Sequence, residues 1–277
     1  MRSLHRCLNP RTIAVVGGTA ASKGVRESLK LGFEGEIWAV NPGLDTMEGV
    51  ACYSSLAALP GVPDATLVGV AAEATIEIVE QLAAMDAGGA ICYASGFREV
   101  GEDDRHRRLL AAAGDMPIMG PNCYGFINAM NGAVLWPDWH GLGRVDTGVA
   151  IFTGSGNLAV NISMQNRSLP IALLGSVGNQ AMIGMEQLLE SVIEDDRITA
   201  IGLHIEGLKN LPMFIEVAIR AAERGKPIVV LKTGRSEAGA RIALSHTATL
   251  AGGAELYDSL FERLGVVQVR DLETFLE

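Results

Sequence analysis

Thr12-Ile-Ala-Val-Val-Gly17-Gly18-Thr19-Ala-Ala-Ser-Lys-Gly24 decides the fold. Its strand is apolar throughout instead of alternating, which means burial on both faces and so a parallel sheet covered by helices. The glycine-rich turn that follows sets backbone N–H groups and a helix N-terminus at the carboxyl edge of that sheet, where phosphates bind. The spacing departs from G-x-G-x-x-G, and an ordinary strand-to-helix turn stays open as a reading.

Working outward, the same pattern repeats. Further apolar runs at Glu36–Val40, Ala65–Val70, Ala90–Ala94 and Pro117–Met119 predict strands, with helices around Gly24–Leu31, Thr75–Met85 and Asp103–Ala113. From Pro121 to Thr147 the period is lost among Gly, Pro, Asn and Trp. It restarts with strands near Val149–Thr153, Ile171–Ser176, Thr199–Ile205, Pro227–Lys232 and Val266–Val269. Helices are expected at Asn157–Arg167, Met185–Ile193, Pro212–Arg224 and Glu255–Leu264. The expected fold class is α/β in two doubly wound units: a Rossmann-like domain over 1–128, a linker over 129–147, and a flavodoxin-like domain over 148–277. A length of 277 residues agrees with two domains.

A hydrophobic content of 48% against 19% charged residues allows two real cores. The formal charge of −10 argues against nonspecific binding to nucleic acid or to an anionic membrane surface. The N-terminal segment lacks the apolar core of a signal peptide, and no apolar run approaches the roughly 20 residues of a membrane span. Cys7, Cys52, Cys92 and Cys123 show no short pairing, which fits reduced thiols, a cytoplasmic location and no metal site.

Several loops at strand exits can carry chemistry. After strand two stands Ala39-Val40-Asn41-Pro42-Gly43, without the carboxylate that a nicotinamide domain uses to hold a ribose. Small residues at Val70, Ser95-Gly96 and Gly120-Pro-Asn122-Cys123 leave room for an extended ligand. In the second half, Thr153-Gly-Ser155-Gly156-Asn157 runs a strand into a helix whose free N–H groups suit an anion, or which is simply capped. Glu206 ends an apolar strand, a costly place for an unpartnered carboxylate, while His204 inside that strand reads as packing or support. Last comes Lys226-Pro-Ile-Val-Val-Leu-Lys-Thr-Gly-Arg-Ser, then Ser245-His246-Thr-Ala-Thr-Leu-Ala-Gly252: a buried strand and a loop of small residues around one imidazole. That imidazole is either a nucleophile near neutral pH or a solvent-facing or capping histidine.

In this order the loops resemble the CoA-binding and ligase domains of the nucleoside-diphosphate-forming acyl-CoA synthetases, the superfamily of succinyl-CoA synthetase and ADP-forming acetyl-CoA synthetase. The carrying segments are Pro10-Arg-Thr-Ile-Ala-Val-Val-Gly17, Gly120–Asn128, Ser155–Leu158, Gly175–Asn179, Ile205–Lys209, Lys226–Arg235 and Ser245–Gly252. The resemblance implies that His246 becomes phosphorylated, that Glu206 orients it, and that Ser155, Gly156 and Asn157 cradle the phosphoryl group. It implies CoA held by Gly17, Gly18, Thr19, Asn41, Pro42 and Val70, with Ser95, Gly96, Asn122 and Cys123 along the path to thiol and acyl group. Cys123 is then a wall residue, since CoA brings its own sulfur. Ala248 and Val70-Ala-Ala depart from the family pattern. The implied partners are CoA, a small carboxylic acid, ATP/ADP with Mg2+ through an ATP-grasp domain or subunit, and an oligomeric assembly. No ATP-grasp segment follows Glu277, so the expectation is an α-type subunit or, by preference, a fragment of a longer enzyme. The competing readings are a CoA-binding regulatory module, a non-catalytic part of an acyltransferase, and a nicotinamide oxidoreductase. Tyr124, Phe126, Trp136 and Trp139 either shape an acyl pocket or only pack.

Overall fold

The computed structural model describes residues 2–235 and 254–277. A short helix α1 (His5–Leu8) precedes the first sheet, built from β1 (Thr12–Gly17), β2 (Glu36–Val40), β3 (Thr46–Met47), β4 (Val50–Tyr53), β5 (Ala65–Gly69), β6 (Ala90–Cys92) and β7 (Ile118–Met119). Their spatial order is β3-β4-β2-β1-β5-β6-β7, parallel except for the β3–β4 pair. Helices α2 (Thr19–Lys30), α3 (Ala72–Ala84) and α4 (Asp103–Ala113) make the crossovers. The order in which successive strands are added reverses about β1, which opens the crevice at its carboxyl end.

The second sheet contains β8 (Gly125–Asn128), β9 (Ala133–Leu135), β10 (Gly148–Thr153), β11 (Ile171–Ser176), β12 (Ile198–Ile205), β13 (Ile228–Lys232) and β14 (Val267–Val269), in the order β14-β13-β12-β10-β11-β8-β9. Helices α5 (Gly156–Ser163), α6 (Met185–Val192), α7 (Leu211–Glu223), α8 (Ala254–Leu264) and the short α9 (Leu272–Phe275) accompany it. Here the switch falls at β10, between β11 and β12. No helix among the described residues is long and apolar enough to cross a membrane.

Most expected elements appear within a few residues of their sequence-based bounds, and one region differs. Much of the aperiodic stretch after Pro121 is structured: β8 pairs antiparallel with β11, and β9 with β8, so part of the expected connection is a hairpin of the second sheet. Gly125–Asn128, expected to close the first domain, therefore belongs to the second sheet. Both hairpin strands are buried along their whole length, so no alternation survived to reveal them. The β3–β4 hairpin was missed for its shortness.

The hairpin also fastens the domains together. Ser28 Oγ on α2 donates to the Val134 carbonyl at 3.1 Å and accepts from the Val134 N–H at 3.0 Å, both buried. Asn128 Nδ2 donates to Leu8 O at 2.9 Å. One apolar core runs from Ile13, Leu67 and Ile91 through Phe126 and Leu135 to Phe152 and Leu203. Burial continuous across both sheets fixes the cleft between them.

Candidate active site

Strand β10 ends at Thr153 and α5 begins three residues later. Ser155 caps α5, its Oγ accepting from Leu158 N at 3.3 Å. No acidic residue sits in the first turn of α5, so the positive end of the helix is not neutralised from within. Gly156 lies beneath the Tyr124 ring so closely that a β-carbon there would come 2.5 Å from Cδ2. Only glycine lets the helix start and that ring share the wall.

Facing this turn is Glu206, just past the end of β12. Its Oε2 is buried without a hydrogen-bond partner among the described residues, although the residue as a whole is half-buried and lines the cleft. The turn that presents it is held from behind. Buried Glu186 accepts from Lys209 N at 2.6 Å and Asn210 N at 2.9 Å, and Tyr257 Oη accepts from Leu208 N at 3.1 Å. Lys232, at the end of β13, places its ammonium 4.9 Å from the Tyr257 ring. Burial pulls the Lys232 pKa below the usual lysine range, Arg235 adds to this, and the Glu206 charge opposes it.

Between these elements lies a cavity of about 550 Å³, lined by Gly154, Ser155, Gly156, Asn157 and Glu206 of the second domain and by Glu99, Asn122 and Tyr124 from the first-domain side and its connection. Gly178 and Asn179 complete it. Glu99 joins the halves: Oε1 accepts from Gly96 N at 2.5 Å and Phe97 N at 3.2 Å, while Oε2 accepts from Asn179 Nδ2. Asn122 Nδ2 donates to Asn179 Oδ1 at 3.4 Å. Ser95, Gly96 and Cys123 are not among the lining residues. Cys123 lies behind the wall, its Sγ donating to Ser176 O at 2.7 Å and accepting from Gly125 N at 3.1 Å. Burial pushes its thiol up to about 12, which leaves no thiolate near neutral pH. Sequence reasoning missed Glu99 and gave Asn179 no role. Asn179 stood in a glycine-containing strand exit that could have flagged it, whereas Glu99 sits in a short turn with no distinguishing pattern. His246 lies outside the described residues.

A second cavity, of about 370 Å³, opens at the carboxyl end of the first sheet. Gly17, Gly18, Asn41, Pro42 and Val70 line it, together with Ser54, Ser55 and Gln81. Gly17 has φ +143°, and a β-carbon there would come within 2.5 Å of the Gly69 carbonyl. Asn41 Nδ2 donates to Gly17 O at 2.8 Å and its Oδ1 accepts from Gly43 N at 2.8 Å, so it ties the first turn to the second strand exit. Helix α2 starts at Thr19 with no side-chain cap and no acidic first turn, and Thr19 itself stands outside the cavity lining. Open space around Gly18, with nothing within 4 Å of a β-carbon, and uncapped N–H groups fit a phosphorylated ligand such as CoA.

Two known families match the chain. Residues 11–129 match the family described as CoA binding domain, and residues 146–277 match succinyl-CoA ligase like flavodoxin domain. The chain therefore carries a CoA binding domain followed by a succinyl-CoA ligase like flavodoxin domain. In particular it is 31% identical over 288 residues to acetate–CoA ligase [ADP-forming] I of Archaeoglobus fulgidus, covering 99% of this chain and 41% of that protein. Against the α subunit of acetate–CoA ligase [ADP-forming] II of Pyrococcus furiosus the identity is 30%, covering 97% of this chain and 60% of the subunit. The solved structure of dinucleotide forming acetyl-coenzyme A synthetase 1 from Ca. Korarchaeum cryptofilum, in complex with phosphate and ADP, superposes with a TM-score of 0.89. That pair shares 30% identity over 100% of this chain and 61% of the other. The chain therefore spans between 41% and 61% of the length of these relatives.

Proposed function

We propose that this chain is the CoA-handling, phosphoryl-carrying portion of an ADP-forming acyl-CoA synthetase, a cytoplasmic acid–thiol ligase. The observation that carries the proposal is the cleft in which an unneutralised helix start at Ser155–Asn157 faces Oε2 of Glu206, buried and without a partner among the described residues. A buried carboxylate oxygen that no described residue satisfies needs a donor from elsewhere, in the chain or arriving with function. An imidazole N–H is such a donor.

Coenzyme A supplies the thiol. The first-domain turn at Gly17–Thr19 and Asn41 hold its phosphates. The N–H groups of Gly156 and Asn157 bind inorganic phosphate, whose oxygen attacks the thioester carbonyl. The C–S bond breaks, CoA leaves as thiol and acyl phosphate remains. Glu206 accepts a hydrogen bond from one nitrogen of His246, and the other nitrogen attacks phosphorus. The N–P bond forms, the acyl P–O bond breaks and the free acid departs. Phosphohistidine then passes its phosphoryl group to ADP held with Mg2+ by an ATP-grasp domain, in a longer chain or a partner subunit. The reverse sequence makes acyl-CoA from acid, CoA and ATP. Positioning and charge stabilisation do the catalysis, as in phosphoryl transfer generally. The chain enters segment 236–253 from β13, whose Lys232 is in register with Ile205, so it leaves the sheet beside Glu206.

The test combines the chain with an ATP-grasp partner, labelled ATP and Mg2+, and looks for acid-labile, base-stable phosphate. Wild type takes label, His246→Ala takes none, and Glu206→Gln labels about 10- to 100-fold more slowly. Unchanged labelling of His246→Ala would overturn the assignment. Binding of CoA without any phosphorylation by a competent partner would identify a CoA-binding module instead.

A further inference from the structure

His204 has no part in the chemistry above, yet it is a buried imidazole between two site elements. It lies on β12 in register with Thr153 of β10, and its strand is paired on the other side with β13. Nδ1 is 2.8 Å from Thr153 Oγ1, and Nε2 is 3.3 Å from Thr233 Oγ1. Thr153 Oγ1 accepts from Ser155 N at 3.0 Å. Thr233 Oγ1 donates to Ile205 O at 3.3 Å. Burial and the nearby Lys232 charge lower the His204 pKa to about 4, so the ring is neutral and carries one proton.

One arrangement of protons uses these contacts best. The Ser155 N–H donates to Thr153, the Thr153 hydroxyl donates to Nδ1, the Nε2–H donates to Thr233, and the Thr233 hydroxyl donates to Ile205 O. The reverse arrangement must send the Thr153 proton to Ser155 O at 3.5 Å, the outer limit of a hydrogen bond. The chain of donors therefore runs one way, and each end matters. It begins on the cap of α5 and ends on the carbonyl before Glu206, passing through Thr233, which directly follows the end of β13.

We propose that His204, fixed as the Nε2–H tautomer, is a positioning residue that holds the Ser155 helix start, the Glu206 turn and the exit of β13 in one register for phosphoryl transfer. The inference deepens the reading above and rests on it for its kinetic consequence, whereas the tautomer does not depend on that reading. By turning the Ser155 N–H inward, the relay leaves the following N–H groups of α5 to the anion. By gripping Thr233, it sets where the chain leaves the sheet relative to Glu206. A histidine that merely fills the core needs neither tautomer nor hydroxyl partners.

The experiment has two arms. In the first, the full chain labelled with 15N at histidine is followed by long-range proton–nitrogen correlation. His204 is expected as Nε2–H with bare Nδ1, without titration between about pH 5 and 8. An Nδ1–H tautomer, or titration near 6.5, overturns the relay. In the second, Thr153→Val and Thr233→Val remove one hydroxyl each while keeping shape, in the complex with the ATP-grasp partner. Each should slow His246 phosphorylation about 10- to 100-fold, with the Kd for CoA within about twofold of wild type. The double variant should be no slower than the worse single one, because both break the same chain. His204→Asn, which keeps an acceptor near Nδ1, should recover part of the rate lost in His204→Phe. Valine variants that phosphorylate within about twofold of wild type overturn the positioning role. A wild-type chain that takes no phosphate overturns the proposed function and its kinetic corollary, while the tautomer still decides whether the relay exists.

Discussion

Replacing Gly156 with alanine puts a β-carbon 2.5 Å from Cδ2 and 2.8 Å from Cε2 of Tyr124. Carbon atoms pack at about 3.5–4.0 Å, so close to 1 Å of overlap has to be relieved. Tyr124 cannot simply retreat. Its ring is 5.1 Å from Trp136, which is 0% exposed, and 5.9 Å from Tyr93 in an edge contact. The helix start yields instead. Overpacking costs about 1–3 kcal/mol, and alanine returns about 1 kcal/mol of helix propensity. The net loss is therefore roughly 0–2 kcal/mol, at about 2–4 °C of Tm per kcal/mol. Function should suffer far more, because a misplacement of about 1 Å at a transfer site costs about 100-fold in rate. The assay sets the melting temperature beside the rate of His246 phosphorylation by MgATP and the ATP-grasp partner. Gly156→Ala should melt within a few degrees of wild type and phosphorylate about 100-fold more slowly. Trimming Tyr124 to leucine in the same chain should restore much of the rate by giving the β-carbon room. A rate within about threefold of wild type would refute the argument that the α5 start must stay in place.

Other perturbations follow from single contacts. Ser155→Ala removes the cap on Leu158 N and should cost about 1 kcal/mol of stability, read in denaturant or by calorimetry. Asn41→Ala severs the ties to Gly17 O and Gly43 N, and should weaken CoA about tenfold by titration calorimetry without changing the phosphorylation of His246. The Arg235 guanidinium, bonded at 2.7 and 2.6 Å, holds the Asp258 carboxyl well below the usual range around 3.8. A carboxyl depressed on folding contributes stability above its unfolded pKa and loses it as pH falls through the lower, folded value. Wild type should thus exceed Asp258→Asn in stability at pH 7, with the gap closing in acid below about pH 4. A gap that persists unchanged at acid pH would mean packing, not charge, binds α8 to the end of β13.

Legibility in the sequence varied with the physics of each element. Strands β1 and β11 stood out because a largely apolar run between turn residues reports burial on both faces. Helices α3 and α7 stood out by amphipathic period, with ends shifted by a few residues because propensity marks interiors better than caps. The hairpin at Gly125–Leu135 was hidden, since its strands are justified only by partners distant in sequence, such as β11 and Ser28. Among site residues, Glu206 and Ser155–Asn157 were readable because a carboxylate or a glycine turn ending an apolar strand is locally anomalous. Glu99 was not, because its role is to bridge Gly96 and Asn179, and nothing local records a bridge.

What the amino-acid order determined alone is therefore periodic or anomalous: two α/β units, their strand exits, and the residue types offered there. Tertiary structure decided which exits meet. It brought Asn122 to Asn179, pressed Tyr124 on Gly156, withdrew Cys123 behind the wall and set His204 between two threonines. The physical reason is that hydrogen bonds and packing act over a few ångströms in space, whereas sequence periodicity reports only the face that each segment must bury.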